Sequence, residues 1–239
     1  MVLCFLGPVE NLNGDFMSNC NNVPPFLSSY SNVDIRTWKR REHFLFFREF
    51  EEPYFGLTVN VDCSKTYDES KATGKSFYYL YLHRILQACN DIPALKLRMP
   101  TDNEVWSFDN IHASTTQMRE DQTFAYSLIP YQESFETFMA AAQRENDSVQ
   151  RSNALFSESL GSEPRLDVIH FSALPWIKFT GLSHARYFSR LDSVPKVSVG
   201  KCEKSANGAY EMPISLHLHH ALADGSDAAL FFNKLESLI

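Results

Sequence analysis

Met212-Pro213-Ile214-Ser215-Leu216-His217-Leu218-His219-His220-Ala221-Leu222-Ala223-Asp224-Gly225 is the stretch that decides the fold. From Met212 to Leu218 apolar and polar residues alternate, the period-2 pattern of a half-buried strand. From Ser226 to Ile239, Ala229, Phe232, Leu235 and Leu238 recur every three or four positions, which predicts an amphipathic helix capped by Asp224 or Ser226. A strand therefore ends in a histidine pair, and a carboxylate and a glycine turn the chain into its closing helix. On such a strand His217 and His219 share one face and His220 takes the other. One imidazole then stands alone at the strand end, where a near-neutral pKa suits a general base. Three chemistries fit the pattern: core histidines with satisfied hydrogen bonds, a metal site using His217, His219 and a carboxylate, or a catalytic His-x-x-x-Asp-Gly loop ordered by Asp224. The metal reading lacks a further ligand and leaves His220 unexplained.

The bulk numbers set the class. With 239 residues, 44% apolar and 21% charged, the chain suits one large globular domain with a sizeable core. A net charge of −7 argues against a nucleic-acid partner. No run of 18 apolar residues exists to span a membrane, and residues 1–35 lack the Lys or Arg that flanks a signal peptide. The five cysteines (Cys4, Cys20, Cys63, Cys89, Cys202) are widely spaced with no Cys-x-x-Cys pair, and read as reduced thiols of a cytoplasmic protein.

Residues 1–32 are rich in Asn, Ser and Pro and carry no sustained period, so they read as a disordered N-terminal extension, with one domain over 33–239 and no internal repeat. Within that domain, residues 34–47 show a helical stripe of Ile35, Trp38 and a Phe cluster. A strand is expected over Phe55–Asp62, a buried helix over Phe77–Asn90 behind Ser76, and short strands at Leu97–Met99, Val105–Phe108 and Phe124–Ile129. Phe135, Phe138, Met139 and Ala142 make one face of a further helix, and residues 145–164 read as its tail plus a surface loop. An apolar strand from Val168 ending at Ser172, with Pro195–Lys201 and Tyr210–His220, completes the strands, the last two joined by a hairpin at Glu203–Gly208.

Three separated motifs resemble one family. His219-His220-Ala221-Leu222-Ala223-Asp224-Gly225, Trp38-Lys39-Arg40-Arg41-Glu42-His43-Phe44 and Ser172-Ala173-Leu174-Pro175-Trp176 stand in the order of the chloramphenicol acetyltransferases. The resemblance runs from Asp34 to Ile239. It implies an α/β fold, a two-layer mixed β-sheet flanked by helices, assembled as a homotrimer with sites between neighbours. It also implies acetyl-CoA as co-substrate, no metal, and an O-acetyltransferase of the antibiotic-resistance type acting on chloramphenicol or a related small alcohol.

By that resemblance His220 is the general base, Ser172 the oxyanion donor, and Arg40 with Asp224 the pair that holds the loop. Tyr78 matches a tyrosine that lies against CoA, Trp176 and Lys201 fall in segments that line the same tunnel, and Ser198, grouped with these cofactor-side positions, matches a small hydroxyl residue that helps position water at the oxyanion. Phe47, Phe55, Phe124 and Tyr126 fall at the acceptor pocket. Three positions depart from the family pattern: Phe47 stands where a tyrosine is usual, Glu51 where a leucine is, and Tyr126 where an alanine is. A carboxylate and a larger ring there alter the shape and polarity of the pocket. The competing expectations are a non-catalytic trimeric binding or scaffold protein of the same fold, and an acetyltransferase for an unrelated hydroxyl acceptor.

Overall fold

The computed structural model describes residues 28–162, 164–186 and 191–239. Its main sheet is built on the strand that the opening stretch predicts. That strand, β10 (Tyr210–His219), pairs antiparallel along its length with β2 (Tyr54–Asp62) on one side. On the other side it pairs antiparallel with β8 (Lys196–Val199), which runs parallel to β7 (Val168–Ala173). β5 (His112–Met118) follows in parallel and β6 (Phe124–Ile129) closes the far edge antiparallel, while β9 (Glu203–Lys204) pairs the start of β10. The order β2-β10-β8-β7-β5-β6 is thus mixed, and three further strands form a second sheet. In it β1 (Tyr30–Asn32) and β3 (Leu97–Thr101) flank β4 (Glu104–Phe108).

Strand alternation sorts the main sheet into two unlike faces. Met212, Ile214, Leu216 and Leu218 of β10 join Val197, Val199, Phe171, Ile169 and Ala113 in one apolar core. Two helices press that core: α3 (Phe77–Asp91), through Leu82, Ile85, Leu86 and Cys89, and α5 (Gly225–Leu238), through Ala228, Phe231, Phe232 and Leu235. α4 (Phe135–Gln150) adds Phe138 and Ala142. The opposite face carries Ser215, Ser198, Lys196, Ser172 and His170, all buried. There Lys196 Nζ lies 2.7 Å from Asp192 Oδ2 and 3.3 Å from His170 Nδ1. Burial first, then Lys196, pushes His170 down to about 3.

The expectations hold in outline and differ at identifiable places. Of residues 34–47 only α1 (Arg41–Phe47) is helical. Asp34 intervenes: its Oδ1 accepts from the Arg36 N–H at 3.1 Å, and the Thr37 hydroxyl donates back to the Asp34 carbonyl at 3.3 Å, a local turn that competes with the helix. Residues 30–32, placed in the extension by composition, pair with β4 instead, Tyr30 stacking on Trp106 with centroids 4.0 Å apart. Residues 1–27 lie outside the described chain, as do Cys4 and Cys20. Two elements carry no readable period. α2 (Ser64–Thr73) buries only Thr66, and β5 faces the core with Thr115 and Gln117 beside Ala113. In α5 the stripe is Ala228, Phe231, Phe232 and Leu235, with Ala229 turned outward.

The last strands end at a glycine for a steric reason. A Cβ on Gly200 would sit 2.5 Å from the Pro213 ring, so only glycine lets β8 close against β10 there. The Gly200 N–H then reaches the Pro213 carbonyl at 2.8 Å.

The core predicts its own mutational cost. Leu82 of α3 and Phe231 of α5, both 0% exposed, belong to the same core. Leu82→Ala is expected to lose about 2–5 kcal/mol and Phe231→Ala about 3–5 kcal/mol of unfolding free energy. Urea denaturation followed by far-UV circular dichroism measures both, with wild-type m-values retained.

Candidate active site

His220 follows β10 and is fixed from three directions. Its N–H donates to the Pro53 carbonyl at 2.8 Å, extending the β2 ladder by one bond. Its own carbonyl accepts from Arg40 Nη2 at 3.2 Å. The imidazole lies flat on Phe47, with centroids 3.9 Å apart and planes 3° from parallel, while Phe55 tilts against it at 4.7 Å. Nδ1 is sealed from solvent and has no hydrogen-bond partner, so proton exchange with anything outside the ring runs through Nε2. Its neighbours go elsewhere. His219 Nδ1 accepts from the Ala221 N–H at 3.2 Å, and burial pushes that imidazole down to about 4. His217 bonds Ser215 Oγ at 3.1 Å. The two therefore point to separate partners, and among the described residues no three His, Cys, Asp or Glu side chains gather as metal donors.

The loop after His220 is held by packing and by charge. Ala221 and Leu222 enter a second core with Phe44, Leu97, Met99 and Val105. Asp224 divides its carboxylate between two tasks. Oδ1 accepts the Ser226 N–H at 2.9 Å and caps α5, in a capping box completed by Asp227. Oδ2 takes Arg40 Nη1 at 2.6 Å across 184 positions of sequence. The Ser226 hydroxyl first, and Arg40 against the opposing effect of burial, hold this carboxyl well below the usual carboxylate range.

Ser172 belongs to a different part of the sheet. Register places Thr58, Ser215, Ser198 and Ser172 in one row across β2, β10, β8 and β7. Ser172 Oγ reaches Thr116 Oγ1 at 3.1 Å on β5, and Thr116 pairs with Tyr126 on β6, which continues the row of hydroxyls. Ser198 Oγ is buried without a partner in the middle of the row. His220 lies five positions past Ser215 and on the helix-facing side with Phe55, whereas Ser172 is on the opposite face. At about 3.3 Å per residue and about 4.8 Å per strand, the two are offset by roughly 16 Å along β10 and roughly 10 Å across the sheet. One chain does not bring them together.

The remaining positions divide likewise. Trp176 is 64% exposed in the turn after β7. Lys201, also exposed, pairs with Glu203 at 2.6 Å, and the nearby Lys178 acts on the same carboxylate. Tyr78 turns its hydroxyl inward to Thr115, and burial pushes its phenol up. Phe124 and Tyr126 sit at the β6 edge, where Tyr126, 5% exposed, stacks on Phe156 in a third small core. That core is at the opposite sheet edge from Phe47 and Phe55. Glu51 is exposed on the turn before β2. Thr116 went unread because β5 has no apolar period to announce it.

The family model for chloramphenicol acetyltransferase aligns with residues 28–236. The chain belongs to the chloramphenicol acetyltransferase family, and is an acyltransferase. Among its relatives, chloramphenicol acetyltransferase 2 of Escherichia coli is 28% identical over 214 residues, 87% of this chain and 96% of the relative. The Staphylococcus aureus chloramphenicol acetyltransferase is 25% identical over 211 residues, 88% of this chain and 95% of its own. A solved chloramphenicol acetyltransferase superimposes with a TM-score of 0.79 at 28% identity, covering 88% of this chain and 99% of that one. The cubic core of a pyruvate dehydrogenase complex shares the fold at a TM-score of 0.59 and 16% identity.

The double duty of Asp224 separates two substitutions. Asp224→Asn retains a capping side chain and loses the ion pair, whereas Asp224→Ala loses both, so Ala is expected to be the less stable by about 1 kcal/mol. With 35% of the Asp224 side chain exposed, the Arg40–Asp224 coupling in a double-mutant cycle is expected at about 1–2 kcal/mol. Because the folded carboxyl titrates below the unfolded one, this contribution is complete above about pH 4–5 and lost as pH falls through the folded value. Denaturant titrations at pH 7 and pH 3 check the sign.

Proposed function

We propose that this chain transfers the acetyl group of acetyl-CoA to a hydroxyl of chloramphenicol or a related small alcohol, in a homotrimer whose sites lie between copies. The observation that carries the reading is the isolated His220 imidazole, clamped between Phe47 and Phe55 with only Nε2 open to a reaction partner. A base so held can take the proton of an acceptor hydroxyl as that oxygen attacks the thioester carbonyl. Such a base contributes about 10²–10⁴ in rate. The carbonyl oxygen gathers negative charge in that step and needs a donor.

Ser172 suits that role. Thr116 and Ser172 share one short contact between two hydroxyls. When Ser172 Oγ accepts from Thr116, its own hydrogen is free for the oxyanion, a contribution of roughly 3–4 kcal/mol for one donor. Thr116 is a positioning residue on this reading, acting through Ser172. The offset between His220 and Ser172 supports a site completed by a neighbouring copy, since one hydroxyl and one carbonyl must meet both groups within hydrogen-bond reach. Lys201, Lys178 and Trp176 would hold the polyanionic CoA, and the buried Ser198 hydroxyl would bind near the thioester beside Ser172. Arg40 and Asp224 touch no reactant and keep the His220 backbone in place. At the acceptor pocket Phe47 and Phe55 are apolar walls. Glu51, exposed between them in sequence, would bring a charge that a neutral acceptor disfavours if it turned toward the pocket.

Thiol release from acetyl-CoA, screened over chloramphenicol and other small alcohols, tests the proposal. Release with chloramphenicol supports it. Release with another alcohol alone keeps the chemistry and discards the acceptor, and no release with any acceptor sinks the enzyme reading. His220→Ala is expected to lower kcat at least about 100-fold without unfolding the chain.

Assembly has its own test. Light scattering is expected to give three times the 27.4 kDa chain mass. Neither His220→Ala nor Ser172→Ala alone should turn over, yet unfolding and refolding the two together should restore activity through interfaces that draw both wild-type groups. An active monomer, or a refolded mixture as inactive as its parents, would refute the shared site.

Thr116 supplies the finest discrimination. Thr116→Val is expected to lower kcat about tenfold with KM for acetyl-CoA unchanged, and Thr116→Ser to restore it. A loss in KM instead, or no rescue by serine, would remove Thr116 from the positioning role.

A further inference from the structure

Two thiols 139 positions apart meet at the end of the sheet away from His220. Cys63 precedes α2 and is 0% exposed, while Cys202 lies half-buried between β8 and β9. Their Sγ atoms are 3.4 Å apart. The backbone around both is pinned rather than loose. The Cys63 N–H donates to the Tyr210 carbonyl at 2.8 Å, and the Tyr210 N–H donates to Ser64 Oγ at 2.8 Å. Tyr210 and Glu211 pair with Lys204 and Glu203 in the β9–β10 hairpin just beyond Cys202, and the Lys201 N–H reaches the Ile177 carbonyl at 2.9 Å. Contacts from four segments therefore hold the sulfurs together.

We propose that Cys63 and Cys202 form an oxidation site, where Cys202 attacks a small-molecule disulfide and Cys63 then closes an intramolecular bond. The two thiols are unequal in the way this order requires. Cys63 Sγ donates to the Tyr210 carbonyl, 3.2 Å away, and is hydrogen-bonded to the Cys202 sulfur. That hydrogen bond lowers the Cys202 thiol and, with burial, raises Cys63. Cys202 is also the one that solvent reaches. The thiolate is the attacking species, so Cys202 reacts first.

In the first step the Cys202 sulfur bonds to one sulfur of the reagent, the reagent's S–S bond breaks, and one small thiol leaves with the proton from Cys202. In the second, Cys63 gives up its proton and attacks the Cys202 sulfur, expelling the second small thiol. Two protein S–H groups are oxidised to one S–S bond, and one small disulfide is reduced to two thiols. The sulfurs must approach by about 1.3 Å to reach bonding distance, a movement that side-chain rotation supplies. Cys89 takes no part. It is buried in α3, and desolvation pushes its thiol up to about 12.

The test uses the full chain and oxidised glutathione. The reduced protein is incubated with it, remaining thiols are alkylated, and intact mass and a non-reducing peptide map are recorded. Wild type is expected to lose the mass of two hydrogens with Cys63 and Cys202 peptides joined, and dithiothreitol to reverse it. Cys63→Ser removes the resolving thiol and should stop with one glutathione on Cys202. Cys202→Ser should leave Cys63 unmodified. Without oxidant, iodoacetamide should label Cys202 at least about tenfold faster than Cys63. A linkage through Cys4, Cys20 or Cys89 in place of this pair would overturn the assignment. So would an unchanged wild-type mass, or glutathione trapped on Cys63 rather than Cys202.

Discussion

β10 is hydrogen-bonded on both flanks, and the rest of the molecule takes its arrangement from that constraint. A strand paired on two sides cannot rotate about its axis, so its alternation assigns every side chain to a face. The even-numbered apolar residues Met212 to Leu218 face the helices and form the core. The odd-numbered Ser215, His217 and His219 face the other way and meet the hydroxyl and charged residues of β8 and β7. A shift of one residue in register would exchange the two sets and place the serines and histidines in the core. The same ladder carries one bond further, from His220 to Pro53, and so positions the imidazole with the precision of the sheet.

The segment just beyond His220 shows how an imidazole can be held rigid at the end of a strand. Ala221 and Leu222 fill a second core, Asp224 begins a helix, and Arg40 spans from that carboxylate to the His220 carbonyl. Helix cap, ion pair and packed loop share residues, so none can relax alone. The pair's value lies in geometry, because its partial exposure limits what the charge attraction contributes. Aromatic walls complete the constraint by leaving one nitrogen of the ring open.

The two faces of the sheet also explain why the expected chemistry is spread out. The apolar face is consumed by core packing. The opposite face is lined with buried serines, Thr116 and the Lys196–Asp192–His170 group, where Ser172 bonds Thr116 and Ser215 bonds His217. Ser198 is the exception, and a buried unpaired hydroxyl has a desolvation cost that a bound polar ligand can offset. His220 and Ser172 stand on different faces for the same reason that the core exists. Alternation that makes a strand half-buried also separates successive reactive groups.

The sequence by itself determined whatever depends on local period and on short motifs. The alternation through Leu218, the helix after Asp224, the loop His220–Gly225 and the pairing of Arg40 with Asp224 could all be read from it, the pairing through the family's motifs. Tertiary structure decided the rest. β5 forms though its core-facing residues include Thr115 and Gln117, because its neighbours β7 and β6 supply the ladder that its own pattern does not announce. The turn at Asp34 overrides a helical stripe through a side-chain contact that periodicity does not register. Thr116 beside Ser172, and Cys63 beside Cys202, are contacts between residues 56 and 139 positions apart. Nothing in either local stretch marks them, since both are created only when strands align and bring distant backbone to a common level.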